Sequence, residues 1–145
     1  MLLPAANPAR RLRPAWPAWL ALLLCLVQAP AAEPDEVLAA FVYNFCLFTT
    51  WPDLGLEDDP ERPLVIVAAG RDLPALQALS ERTVRRHPIR IQPLPADGRI
   101  PALCHVLLFA DLDAGRRDAL LARAAERPIL TVAMQPGFCQ AGGIL

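Results

Sequence analysis

One apolar stretch, Val37 to Pro52 (VLAAFVYNFCLFTTWP), constrains this 145-residue chain more than any other. Val37/Leu38, Phe41/Val42, Phe45 and Phe48/Thr49 recur at helical spacing, and Ala39, Ala40, Cys46 and Leu47 fill the remaining directions. A helix with so little polar surface is expected inside a fold or against a sheet. Asp35 offers an N-cap oxygen. The stop is expected near Thr50, because Pro52 disfavours the α region for Trp51. The stretch falls short of the roughly 20 apolar residues of a membrane span.

Upstream lies a different kind of segment. Arg10, Arg11 and Arg13 precede an apolar core from Trp16 to Val27, and Ala29-Pro30-Ala31 supplies small residues where a peptidase would cut. This order reads as a secretory signal peptide over 1–31, leaving 32–145 as a single exported domain in an oxidising compartment. Cys25 does not make a lipoprotein site, since Leu24 stands where a small residue is wanted, and Arg10-Arg11 lacks the flanks of a twin-arginine signal. The chain has no lysine. Without the signal, eleven arginines face fifteen acids, so no nucleic-acid partner is expected.

The exported part alternates apolar runs with helix signals. Pro63–Gly70 (PLVIVAAG), Leu103–Ala110 (LCHVLLFA) and Pro128–Met134 (PILTVAM) are continuous apolar runs, as strands buried on both faces require. Asp72 with Pro74 starts one helix between them, and Asp111 or Asp113 starts another, with Leu112, Leu120, Leu121 and Ala124 inward. Thr83 to Leu94 (TVRRHPIRIQPL) reads as a further strand interrupted at His87-Pro88, which places it at an edge or a break. The order implies an α/β fold, a three-layer sandwich around a mainly parallel sheet.

Catalytic constellations do not emerge. Ser80 is the sole serine and sits in a helix ending rather than a nucleophile elbow. His105, within an apolar strand, reads as a hydrogen-bonded core histidine rather than a base or ligand, and His87 as a surface residue. No zinc-ligand spacing, phosphate-binding glycine pattern or calcium loop is present; the acids of 53–63 read as a solvated loop. Neither a cofactor nor an enzymatic reaction is expected. Three cysteines remain after cleavage, Cys46, Cys104 and Cys139, an odd count that leaves at least one unpaired or paired between chains. Arg82, Arg85, Arg86 and Arg90 form a basic cluster with His87. It is either a partner-facing patch or a charged guard on a strand edge.

The ordered residues Ala39, Ala40, Phe41, Val42, Tyr43, Asn44, Phe45, Phe48, Trp51 and Pro52 resemble the opening helix of the YfiR-like family. The likeness continues in LVIVAAG, in TVRRHPIRI, in CHVLLFA and in the closing RPILTVAMQPGFCQAGGIL, so it spans roughly residues 36–145. Members continue past the G-G motif with a strand and a helix, so the resemblance implies a C-terminal part missing beyond Leu145. It also implies a non-enzymatic periplasmic protein that represses a membrane-bound diguanylate cyclase by binding that enzyme's periplasmic domain. Cyclic-di-GMP signalling and biofilm formation would fall as a result. Cys104 and Cys139 match family cysteines whose disulfides influence stability and activity. The usual partner of the first falls near Val67, however, and that of the second beyond Leu145, so a Cys104–Cys139 bond is only one option. A homodimer is open. The alternative function is a small-ligand module at the strand ends, feeding a sensor or transporter.

Overall fold

In the computed structural model the described residues are 33–51, 59 and 61–144, all within one compact unit of residues 32–145. Residues 1–31, read above as a signal peptide, most of the 53–63 stretch read as an acidic loop, and Leu145 lie outside them.

The first helix, α1, runs Pro34–Phe48. Pro34 presets the first helical φ, and Asp35 and Glu36 complement the positive end of the helix dipole. Glu33, not Asp35, occupies the cap position and supplies no side-chain bond. Asp35 lies inside the first turn, where it is used elsewhere. The helix stops two residues earlier than expected. Thr49 turns extended, and both its backbone N–H (3.0 Å) and its hydroxyl (2.8 Å) donate to the Phe45 carbonyl.

Five strands follow: β1 Leu64–Gly70, β2 Thr83–Val84, β3 His87–Pro93, β4 Val106–Ala110 and β5 Leu130–Ala133. They lie in the order β2-β3-β1-β4-β5, with every pairing parallel except the β2–β3 hairpin. Between β1 and β2 come a short helix α2, Pro74–Gln77, and a 3-10 turn, Ala78–Glu81; α3, Ala114–Ala124, connects β4 to β5. The mainly parallel α/β sandwich is therefore present. Alternation divides β1 between the two faces. Leu64 and Ile66 pack with Leu38, Val42 and Cys46 of α1 and Leu76 of α2. Val65, Val67 and Ala69 pack with Leu120, Leu121 and Ala124 of α3. Of the two expected candidates, Asp111 and Asp113, it is Asp113 that caps α3, by accepting from the Arg116 N–H at 2.9 Å. Asp72 instead accepts from Leu73 (2.9 Å), the cap residue of α2.

The TVRRHPIRI segment is a tight hairpin, not one broken strand. The chain reverses at Arg85-Arg86, both with positive φ (49° and 81°), as a two-residue turn between twisted strands demands. No Asn-Gly pair advertises it. Pro88 sits inside β3, opposite Thr83 of the two-residue edge strand. His87 is buried rather than on the surface and donates from Nδ1 to the Arg62 carbonyl at 3.1 Å.

Gly70 closes β1 where a side chain would not fit. A Cβ there would stand 1.8 Å from the Ala110 carbonyl oxygen, and its φ is +114°. At the opposite end, His105 ties four segments together. Its Nδ1 accepts from the Val65 N–H (2.9 Å), and its own N–H donates to the Val65 carbonyl (3.0 Å). Its carbonyl accepts from Leu130 N–H (2.9 Å) and from Trp51 Nε1 (3.1 Å). This is the hydrogen-bonded core histidine anticipated above.

Burial first, then the positive charges of Arg62 and His87, push the His105 pKa down to about 4. The unfolded chain, with an ordinary value near ~6.5, therefore binds the proton first, and stability drains away as pH falls from ~6.5 towards ~4. By pH ~4.5 this one group removes on the order of 2 kcal/mol. His105→Asn places an amide oxygen where Nδ1 accepts and cannot titrate. Denaturant unfolding at pH ~7 and ~4.5 is expected to show a loss smaller by about that amount in the variant. Parallel losses in both proteins would rule His105 out.

Candidate interaction surface

α1 is covered on one side only. Leu38, Ala39, Val42 and Cys46 are buried against the sheet, yet Phe41 is 51% exposed and Phe48 84%. Of the two placements expected for this helix, inside the fold or against a sheet, the second is observed, and it leaves the outer side uncovered. A single sheet face and α2 flank α1 among the described residues, and neither reaches its outer side. Along that side run Val37, Ala40, Phe41, Asn44 and Phe48, with the Phe41 and Phe45 rings stacked at 6.0 Å. A hollow of about 310 Å³ opens between Glu36, Val37, Ala40, Phe41 and Asn44. A larger groove of about 490 Å³ lies between α1 and α2, floored by Ala39, Ala40, Ala75 and Ala78 and rimmed by Glu36 and Arg82.

Two of the four arginines of the basic cluster dock onto this helix. The Arg82 guanidinium lies over the Tyr43 ring at 5.3 Å, and Tyr43 donates its hydroxyl to the Thr83 carbonyl at 3.3 Å. Arg85 Nη2 donates to the Leu47 carbonyl at 3.1 Å, satisfying one of the open acceptors at the helix C-terminus. Arg86 stands exposed at the hairpin tip. Arg90 pairs in register with Val65, which faces the α3 layer, so β-strand alternation sends it to the opposite face. The outer side of α1 therefore has an apolar middle, acids at its N-terminal end (Glu33, Glu36) and arginines at its C-terminal end.

The strand ends, expected above as an alternative ligand site, hold residues that the sequence did not signal. β1 leads to β3 on one side and β4 to β5 on the other, so the C-terminal ends of β1 and β4 form the crevice where such sheets usually hold ligands. Here Arg71 fills it. Its Nη1 bonds Asp35 of α1 at 2.8 Å and its Nε bonds Asp111 at 2.6 Å. The Arg71 hydrogen bond holds the Asp35 carboxyl below the usual carboxylate range, and the two acids raise the guanidinium in turn. Thirty-six and forty residues separate these partners, so no local pattern signals them. A cleft of about 300 Å³ remains beside Gly70, Arg71, Asp72, Gln77, Ile91 and Gln92.

All three cysteines of the described residues are free thiols. Cys46 is buried on α1. Cys104 is buried just before β4 and directs its Sγ to the Val106 carbonyl (3.5 Å); Cys139 is exposed, near the Ile144 carbonyl (3.9 Å). Among the described residues no group of three or more His, Cys, Asp or Glu is placed to hold a metal ion, and no helix is long and apolar enough to cross a membrane.

The family model described as YfiR/HmsC-like matches residues 35–145 of this chain. No curated protein and no solved structure gives a significant match.

Burial pushes the Cys46 and Cys104 thiols up to about 12, so neither supplies thiolate at neutral pH. Maleimide labelling of the folded protein followed by mass spectrometry is expected to modify Cys139 alone. Cys46 and Cys104 are expected to react only after denaturation. Equal labelling of all three in the native state would contradict the burial.

Proposed function

The chain belongs to the YfiR/HmsC-like family, and from that premise we propose that it is a non-enzymatic periplasmic regulator that binds and represses a membrane-bound signalling enzyme of the diguanylate cyclase type. The family is one of periplasmic regulators of such cyclases. The bare outer side of α1 is the observation that supports action by contact in this chain. Phe41 and Phe48 remain in water although the helix has a well-packed inner face. Exposed aromatic residues rimmed by charge mark protein-contact surfaces. Arg82, Arg85 and Arg86 add a cationic border that suits an acidic rim on the partner. Residues 1–31 act in this reading as the cleaved export signal.

Repression by contact requires tighter binding to the inactive than to the active state of the enzyme. A tenfold preference corresponds to about 1.4 kcal/mol. A handful of buried aromatic contacts can supply that difference. The strand-end cleft supports a second reading, a small-ligand module that informs a sensor or transporter. In that reading Arg71 would have to give up its own acids to receive an anion.

Deletion of the gene in its native bacterium is expected to raise cellular cyclic-di-GMP several-fold, measured by mass spectrometry, and to increase surface attachment. Supplying the intact gene should reverse both effects, and Phe41→Asp should not. Cyclic-di-GMP unchanged by deletion would remove the cyclase assignment and leave the ligand reading.

A further inference from the structure

Between the end of α1 and the β2–β3 hairpin lies a small pocket of about 70 Å³, with Thr49, Thr50, Trp51, Arg85 and His87 in its lining. It has room for about two waters, far below the ~300 Å³ of a typical organic-ligand site. Among the described residues no carboxylate lines it. His87 is only 9% exposed, and its Nδ1–H is committed to the Arg62 carbonyl. The remaining polar atom of that buried ring, Nε2, has no partner among the described residues. Arg85 gives one donor, Nη2, to the Leu47 carbonyl and pairs with no acid among the described residues. A guanidinium has five N–H donors, so most of them stay open.

The geometry points to a binding site for one small oxyanion of the phosphate or sulfate type in this pocket, held by Arg85, the protonated His87 ring and the Thr50 hydroxyl.

The donor set excludes the obvious competitors. A metal ion would meet the Arg85 guanidinium, which carries no lone pair, and a single ring nitrogen. Thr49 and Trp51 already direct their own donors to the Phe45 and His105 carbonyls, so they shape the pocket without binding its occupant. The open groups are a planar cationic fork and an imidazole, and that pairing suits oxygens that share a negative charge. The surroundings carry the same sign. After burial, the positive charges of Arg62 and His87 push the His105 pKa down to about 4. Arg62, Arg85 and His105 are the charged and titratable groups that face His87, and the end of α1 presents only Thr49, Thr50 and Trp51. Neutral His87 would turn the Nε2 lone pair towards the anion, whereas the protonated ring turns an N–H to it. Binding therefore takes up a proton and strengthens as pH falls. An occupant would join the hairpin to the segment that follows α1, fastening that end of the helix.

The test is titration of the exported protein with sodium sulfate and sodium phosphate at constant ionic strength, with sodium chloride as control, read by calorimetry and fluorescence. Trp51 lines the pocket and is the only tryptophan downstream of residue 31, so its emission reports this site. Sulfate and phosphate are expected to saturate with a Kd near or below ~1 mM, and chloride to give no saturable signal. Arg85→Gln should weaken both oxyanions at least about tenfold and, since Arg85 is exposed, leave the circular dichroism unchanged. Sulfate does not titrate between pH ~8 and ~6, and His105 titrates lower, so a rise of about tenfold in wild-type sulfate affinity over that range reads His87. His87→Gln should abolish that rise; should this variant not fold, the wild-type pH profile and Arg85→Gln decide the matter. No saturable oxyanion signal, an equal response to chloride, an affinity untouched by Arg85→Gln or a sulfate affinity independent of pH each overturn the inference.

Discussion

β1 is paired along both edges and covered on both faces, and every other described element takes its position from it. Alternation along seven residues sends Leu64 and Ile66 to one layer and Val65, Val67 and Ala69 to the other. A strand in that position tolerates neither a polar side chain nor a slip of one residue, since a slip would exchange its two faces. Its ends are fixed by two different devices. At the N-terminal end, His105 accepts from Val65 through its ring and donates to it through its backbone. At the C-terminal end, Gly70 permits an approach to Ala110 that any Cβ would block.

These devices also place α1. Trp51, just past the helix, donates to the same His105 carbonyl that receives Leu130 of β5. At the other end of the helix Asp35 is gripped by Arg71, which follows Gly70. α1 is thus fastened at both ends to the two ends of β1, with its inner side packed between. Its outer side takes no part in this fastening, and that freedom makes it available for contact with another molecule. The exposed phenylalanines and the Arg71-occupied part of the strand-end crevice are therefore linked consequences of one arrangement. The ion pairs that anchor α1 occupy the crevice a ligand would otherwise use.

The helix illustrates what a sequence pattern measures. Apolar residues all round a wheel report that water is unfavourable on every side, but not which neighbour replaces it. The buried and exposed sides of α1 are similar in hydrophobicity: Leu38, Val42 and Cys46 against Val37, Phe41 and Phe48. The fold has one sheet face to offer, and the side turned to it is the one whose ends reach Trp51 and Arg71. Likewise, the arginines between Thr83 and Arg90 read as one cluster along the chain. The Arg85-Arg86 turn and strand alternation separate them, taking Arg82 and Arg85 to α1 and leaving Arg90 on the other face.

The sequence by itself determined the α/β class, three of the buried parallel strands, an aspartate cap at Asp111 or Asp113 and the structural role of His105. Each of these rests on interactions between near neighbours or on a run of apolar residues, which a linear pattern records directly. The burial of His87, the Arg71 ion pairs and the bare side of α1 were decided only when residues 25 to 40 positions apart met in space, and the reversal at Arg85-Arg86 is local but carries no turn signature in its residues. Their energies depend on which surfaces the packed layers leave over, and no local stretch of chain carries that information.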